Sequence, residues 1–128
     1  MLRGKTMSEQ IMTFGAFVYD KRKTLGITQK QVADALGITT VYICDIEKNR
    51  RYPPTGGELL VKLAAVLKLS DKELPLYYDL VGQNKGCVPP DIAGYVMSTD
   101  IVRTAIRKAK NKATVKDWQQ FIAVLENK

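Results

Sequence analysis

The sequence predicts an all-α protein. Apolar residues recur three and four positions apart along most of the 128-residue chain, which is the spacing of one face of a helix. The segments with this spacing begin after threonine or serine, which cap helix N-termini, and several end at glycine, which ends a helix in the left-handed conformation. Hydrophobic residues make up 45% of the chain, which suits a packed core and argues against disorder throughout.

Composition limits the chemistry open to this protein. With 20 basic and 13 acidic residues the net charge is +7, which suits a polyanionic partner. The chain has no histidine, so catalytic triads and metal sites that need histidine are excluded. Cys44 and Cys87 form no CxxC motif, and two reduced thiols are expected. No metal, cofactor or enzymatic activity is predicted.

The chain lacks the features of a membrane or exported protein. No apolar run approaches the ~18–20 residues that a membrane-spanning helix needs. The first ten residues are polar, and the short apolar run after them leads directly into basic residues, unlike a signal peptide. A cytoplasmic bacterial protein with no membrane partner is expected.

The first helix is predicted to start after Ser8 and to run to about Thr24, with Gly26 ending it. Residues 1–7 are expected to form a frayed arm. The apolar stripe of this helix comprises Ile11, Phe14, Val18 and Leu25.

Residues 28–54 organise the rest of the chain. Thr28 can cap a helix from Gln29 to Leu36, and Gly37 can end it. Thr39 can cap a second helix, from Thr40 to about Lys48. The residues expected to point inward are Val32, Ala33, Leu36, Ile43 and Ile46.

Two short helices joined by such a tight turn form a helix-turn-helix. Ala33 provides the small side chain that two crossing helices need at their closest approach. The second helix of this motif presents its N-terminal end to the DNA major groove. We call residues 40–48 the expected recognition helix.

Residues 14–74 resemble the Cro/C1-type helix-turn-helix regulators, also called the XRE family. The resemblance rests on Arg22, residues 26–29, Val32-Ala33, residues 36–38, Ile43 and Ile46-Glu47. It implies a five-helix lambda-repressor-like DNA-binding domain over residues 8–81 and a helical C-terminal extension at 91–128, and the composition of residues 82–90 predicts a linker between them. The resemblance also implies that Arg22 pairs with Glu47 and ties the first helix to the third.

The remaining helices follow from the same signals. A fourth is predicted over Glu58 to Leu69 and a fifth over Asp71 to about Val81, with Ser70 and Glu73 forming a capping box and Pro75 making the start irregular. The extension is predicted to hold three helices, over residues 91–97, over residues 100–110 after a Ser98 or Thr99 cap, and after Thr114.

Base edges are expected to be read by the outward side chains of the recognition helix. A threonine hydroxyl can hydrogen-bond a base edge, valine can pack on a thymine methyl, tyrosine can donate to an acceptor, and aspartate can accept from a cytosine amine. The four candidates are Thr40, Val41, Tyr42 and Asp45.

DNA phosphates are expected to bind at the starts of the two helices of the helix-turn-helix and just past the recognition helix. In the family that the chain resembles, a glutamine at the start of the motif's first helix contacts a phosphate, and free backbone N–H groups at helix starts also favour anions. The candidates for this role are Gln29, Lys30, Thr39, Arg50 and Arg51.

A homodimer is expected, because specificity usually requires two half-sites about one helical turn, ~34 Å, apart. The last helix offers an apolar stripe for this purpose, namely Trp118, Phe121, Ile122 and Leu125. Two readings stay open: the stripe packs within the chain, or it forms a dimer or protein-partner surface.

The predicted function is that of a sequence-specific transcriptional regulator of double-stranded DNA, most often a repressor in the family that the chain resembles. An alternative is an antitoxin that binds DNA through the same fold and neutralises a toxin through its C-terminal extension. A sensor of small molecules is a further possibility.

Overall fold

The structure is a computed structural model that describes residues 12–128. Within this range it contains helices and no strand, so the all-α prediction is confirmed. The helices in chain order are α1 (Phe14–Leu25), α2 (Gln29–Leu36), α3 (Thr40–Glu47), α4 (Gly57–Val66), α5 (Leu74–Lys85), α6 (Pro90–Ser98), α7 (Asp100–Lys112) and α8 (Val115–Glu126). The chain divides into two compact units, the first ending at Asp91 and the second beginning at Ile92.

Helices α1 to α5, which lie entirely within the first unit, all contribute side chains to its core. Tyr77 lies at the centre with none of its surface exposed, and its hydroxyl donates a hydrogen bond to the Leu60 carbonyl oxygen at 2.7 Å. Burial raises the pKa of this hydroxyl, so it stays a donor. The apolar residues buried with it include Phe14, Phe17, Val18, Val32, Ala33, Leu36, Ile43, Ile46, Leu60, Leu63, Leu67, Leu80 and Val81.

Helix α1 begins later than predicted. Its N-cap is Thr13, whose backbone is extended (φ −116°) and whose hydroxyl accepts the Ala16 N–H at 3.0 Å. A single helix from Ser8 to Thr24 is therefore wrong at its start, although Ser8, Ile11 and the arm at residues 1–7 lie outside the described residues. The predicted end at Gly26 is confirmed, with φ +70°.

Helices α4 and α5 also differ from prediction at their ends. Helix α4 stops at Val66 because the chain turns at Lys68, which has φ +54°, so the predicted end at Leu69 is wrong. Helix α5 begins at Leu74 rather than Asp71, since Pro75 must lie in a first turn.

The predicted linker at residues 82–90 is shorter in the structure. Helix α5 continues to Lys85 and ends at Gly86 (φ +66°), and α6 begins at Pro90. Gly82 is buried, and a Cβ atom there would lie 2.6 Å from the Cys87 carbonyl oxygen. The chain after α5 therefore folds back on the helix instead of leaving it.

The second unit holds most of α6, together with α7 and α8. Arg103 of α7 donates to the Val96 carbonyl oxygen at 2.9 Å and also contacts the Met97 carbonyl and the Asp100 carboxylate, which fixes the corner between α6 and α7. Thr99 occupies the N-cap of α7 without a capping bond from its side chain, whereas Thr114 caps α8 as predicted. No residue from 92 to 128 is buried.

Across residues 12–128, no helix has both the length and the apolar character needed to cross a membrane. The same residues contain no group of three or more Cys, Asp or Glu side chains that could hold a metal ion.

Candidate nucleic-acid interface

Helix α2 begins and ends as its sequence predicts, and α3 begins as predicted. The Thr28 hydroxyl accepts the Gln31 N–H at 3.0 Å, and the Gln31 side chain accepts the Thr28 N–H at 2.8 Å, which completes a capping box. Gly37 ends α2 with φ +71°. The Thr39 hydroxyl then accepts the Tyr42 N–H at 3.1 Å, so α3 starts at once after the turn.

Helix α3 has one buried side and one outer side. Ile43 and Ile46 are buried in the core, as predicted. The helix ends at Glu47, one residue earlier than predicted, and Asn49 takes the left-handed conformation with φ +60°. Of the base-reading candidates, Thr40 and Val41 are exposed, Asp45 is half-buried, and Tyr42 is half-buried and packs against the core.

Arg22 of α1 and Glu47 at the end of α3 form a bidentate ion pair. Arg22 Nε donates to Glu47 Oε2 at 2.6 Å, and Nη2 donates to Oε1 at 2.9 Å. Nη1 donates to the Ile27 carbonyl oxygen at 2.9 Å, so the guanidinium has partners on three nitrogens. The hydrogen bond to Glu47 raises the pKa of Arg22. Arg22 therefore stays charged, and its hydrogen bonds hold the end of α3 against α1.

Gln29 joins this pair, which the sequence did not predict. Its side-chain Nε2 donates to Glu47 Oε1 at 2.9 Å. Glu47 thus holds the first residue of α2 as well as α1, and the Gln29 amide is positioned before any DNA arrives. The amide has two N–H groups, so one remains to donate to a phosphate while the other holds Glu47.

Gly15 lets α1 approach the end of α3 closely. A Cβ atom at this position would lie 2.3 Å from the Ile46 carbonyl oxygen and 2.8 Å from the Glu47 carbonyl oxygen. Any side chain would therefore push the two helices apart. The sequence gives one signal of this close approach, a glycine inside a predicted helix. Glycine lowers helix stability, so its presence there suggests a packing reason.

The other phosphate candidates at the helix starts already have partners. Lys30 pairs with Asp34 on the next turn at 3.1 Å, with both side chains mostly exposed. An exposed pair of this kind is weak and leaves the ammonium free to exchange partners. The Thr39 hydroxyl caps α3. A phosphate at this position would be bound by the same hydroxyl or by the free backbone N–H groups at the start of α3.

The two loop arginines each lie near a base-reading candidate. Arg50 Nη1 is 3.9 Å from Asp45 Oδ1, and the guanidinium carbon of Arg51 is 4.4 Å from the centre of the Tyr42 ring. The sequence places these arginines beside the recognition helix, but it does not show which side chain each one contacts. Both contacts depend on the turn at Asn49.

Two open grooves with basic side chains occur in this part of the first unit. One has a volume of about 500 Å³ and surrounds the start of α2, lined by Arg22, Lys23, Gly26, Ile27, Thr28, Gln29 and Lys30. The other has a volume of about 470 Å³ and is lined by Asn49, Arg50, Arg51, Tyr52 and Asn84. Asn84 lines the same groove as the loop arginines. It lies on α5, in residues that were predicted to be part of the linker.

The apolar stripe of α8 stays uncovered. Its four side chains are 43–52% exposed, namely Trp118, Phe121, Ile122 and Leu125. The rings of Trp118 and Phe121 lie 6.4 Å apart, edge to face. The stripe is therefore available to another molecule.

Comparison with known proteins gives three matches. Residues 18–74 match a family model described as helix-turn-helix. The ImmF control region 10 kDa protein of Bacillus phage phi105 is 36% identical over 69 residues, which are 54% of this chain and 67% of that protein. A chain of the SinR protein/SinI protein complex is similar in structure with a TM-score of 0.42 and 20% identity, covering 89% of this chain and 95% of that one. None of these names mentions an antitoxin, so that alternative gains no support.

Proposed function

Because the chain belongs to the Cro/C1-type helix-turn-helix family, as its sequence predicted, we propose that it is a sequence-specific repressor of transcription that reads the major groove with α3. The observation that carries the proposal is the exposure of Thr40 and Val41 at the start of a helix whose far end is fixed by Glu47. A rigidly held helix with a free N-terminal flank suits insertion into a B-form groove.

The basic grooves supply the sequence-independent part of binding. In this proposal, one phosphate lies near Gln29 and Lys30 at the start of α2, and another lies near Arg50 and Arg51 past the end of α3. Phosphate contacts at both ends of the helix-turn-helix would set its register along the duplex. The net charge of +7 adds a general attraction to the DNA backbone.

Base selection is assigned to the four outward positions of α3. Thr40 and Val41 are exposed and can meet base edges directly, whereas Tyr42 and Asp45 contact the loop arginines. Asp45 would accept from a cytosine amine and would repel phosphate elsewhere, so it would also disfavour wrong registers.

Repression would result from the position at which such a protein binds DNA. A chain bound at a promoter would keep RNA polymerase from the same DNA. The similarity to a phage protein named for a control region supports a regulatory role. A regulator of this kind would act in the cytoplasm of a bacterial cell, where the DNA lies.

A homodimer is part of the proposal, with the α8 stripe as its interface. One helix-turn-helix contacts too few base pairs for a long recognition sequence, and two copies on half-sites ~34 Å apart would double the contacts. The α8 stripe is an apolar surface that the rest of the second unit leaves about half exposed.

The deciding experiment selects bound duplexes from a random pool with the purified full chain. A repeated sequence with two inverted half-sites is expected, and binding of that duplex should exclude RNA polymerase in transcription assays. Recovery of unrelated sequences, or no retention of any duplex at low salt, would refute sequence-specific DNA binding.

The dimer is tested separately by Phe121→Asp, which puts a charge into the α8 stripe. Sedimentation should show a dimer for the parent and a monomer for the variant. Gln120→Asp is the matched control, because it adds the same charge at an exposed position of the same helix outside the stripe. A monomeric parent, or equal effects of the two substitutions, would remove α8 from the interface.

A further inference from the structure

The Arg51 side chain stacks over the Tyr42 ring. Its guanidinium carbon lies 4.4 Å from the ring centre, well within the ~6 Å over which a cation is attracted to an aromatic face. A guanidinium is flat and weakly hydrated, so it stacks on a ring better than an ammonium does. The contact joins the loop after α3 to the outward side of α3.

Stacking leaves the hydrogen-bonding edge of Arg51 unused. The N–H groups of a guanidinium lie in its plane, whereas the ring contact uses its face. Arg51 is exposed and lines the groove with Arg50, Tyr52 and Asn84, so its edge can meet a phosphate while its face holds Tyr42. One side chain can therefore connect the phosphate backbone to a base-reading residue.

Tyr42 is the base-reading candidate that gains most from being held. Its ring is half-buried and packs in part against the core, and Arg51 lies over it as a second contact. Without Arg51 the ring would gain freedom about its side-chain bonds, and DNA binding would have to remove that freedom again.

Arg50 provides a contrast within the same loop. Its contact with Asp45 is long, at 3.9 Å, and its side chain is 63% exposed, so the pair contributes little and fixes little. Two adjacent arginines of equal charge thus have different contacts with α3: one is stacked and the other is loosely paired.

We propose that Arg51 is a specificity-determining residue that acts by positioning the Tyr42 ring on α3. This role rests on the proposed function, and it adds to the phosphate contact expected for Arg51 from the sequence. The two loop arginines then differ: Arg50 acts on every duplex alike, and Arg51 acts most on duplexes that suit Tyr42.

The test is a double-mutant cycle on the full-length protein. Binding of Arg51→Ala, Tyr42→Ala and the double variant is measured against the duplex that the parent selects and against a duplex altered at the base pair at which Tyr42→Ala reduces, without abolishing, discrimination. Arg51→Ala should lower the discrimination between these duplexes by about two- to fivefold, which is the range of an exposed cation–π contact. In the Tyr42→Ala background, Arg51→Ala should not lower this discrimination further.

Arg50→Ala in the same cycle is the matched control, and it should reduce the affinity for both duplexes equally in either background. Additive effects of Arg51→Ala and Tyr42→Ala on discrimination would overturn the proposal while leaving DNA binding intact. Failure of the parent to bind any duplex would instead overturn the proposed function, and this inference with it. Equal melting temperatures of the variants show that discrimination, and not folding, has changed.

Discussion

Arg22 and Glu47 form a bidentate pair across 25 residues of sequence, and their side chains are only 9% and 2% exposed. Bidentate geometry fixes direction as well as distance. Because Arg22 belongs to α1 and Glu47 ends α3, the pair sets the angle at which α3 leaves the core. Whatever α3 contacts on DNA, its orientation is fixed by these two side chains.

Glu47→Ala should therefore lower the thermal stability of the protein. Removing one partner leaves the Arg22 guanidinium buried without its counter-ion and leaves Gln29 without its acceptor. We expect a loss of about 3 kcal/mol in the free energy of unfolding, the lower end of the range for a broken buried ion pair. Melting followed by circular dichroism measures it.

Glu47→Gln is the informative companion to this variant. It keeps the shape and an acceptor oxygen but removes the charge, so its stability should fall between those of the parent and Glu47→Ala. An unchanged melting curve for Glu47→Ala would show that the pair does not anchor α3.

Gly15→Ala should destabilise the protein, although alanine is the better helix former. The added Cβ meets the Ile46 and Glu47 carbonyl oxygens, and forced packing of this kind costs about 1–3 kcal/mol. Gly94→Ala, inside α6 with nothing within 4 Å of the new atom, is the control and should stabilise its helix by about 0.5–1 kcal/mol. Thermal melting and helix content distinguish the two, and a stabilising Gly15→Ala would contradict the close approach.

Arg50→Ala should weaken binding to all duplexes by a similar factor. It should also reduce the slope of log affinity against log salt by about 1, because one phosphate contact is lost. Thr40→Ala should instead change which base is preferred, at a cost of about 0.5–1.5 kcal/mol on the best duplex, the value of one hydrogen bond. Titrations at several salt concentrations separate these effects.

Lys62→Ala controls for charge alone in this experiment. It removes one positive charge from an exposed position on α4, outside the helix-turn-helix. It should change the salt slope less than Arg50→Ala does. If both arginine and threonine variants change specific and random binding equally, the division into phosphate and base contacts is wrong.

The ion pair between Lys21 and Glu73 predicts a loss of stability in acid. The hydrogen bond from Lys21 lowers the pKa of Glu73 from its ordinary value of 4.5, with a smaller contribution from the Ser70 backbone. A carboxylate whose pKa is lower in the folded state stabilises the fold fully above its unfolded pKa. This stabilisation is lost as the pH falls through the folded pKa.

Melting of the parent and of Glu73→Gln at a series of pH values checks this. The parent should melt higher at pH 7, and the difference should shrink below about pH 4.5. In a Lys21→Gln background the pH-dependent part should be smaller, since only Ser70 remains. A difference that stays constant down to pH 2 would contradict the assignment.

The features that the sequence predicted correctly are local ones. Thr28, Gly37, Thr39 and Thr114 each act within one helical turn of their own position, so their residue types are enough to place helix ends. The inward positions of α3 follow in the same way from the 3.6-residue period. Neither the helix ends nor the inward positions require information about another part of the chain.

The predictions that failed concern helix ends, and the contacts that the sequence did not reveal join residues far apart in the chain. Helix α5 runs on to Lys85 because Gly82 permits the returning chain to pack against it, whereas its glycine and polar residues looked like a linker. The ammonium of Lys21 contacts Glu73, 52 residues away. No local pattern contains such partners.

The sequence alone determined the family, the helical fold and the positions of the helix-turn-helix, because caps and helical periodicity act over a few residues. Only the tertiary structure decided that Gln29 and Arg22 share Glu47, that Gly15 sits against the end of α3, and that Arg51 lies on Tyr42. These contacts join residues far apart in sequence or across a turn, and their geometry exists only once the helices have packed.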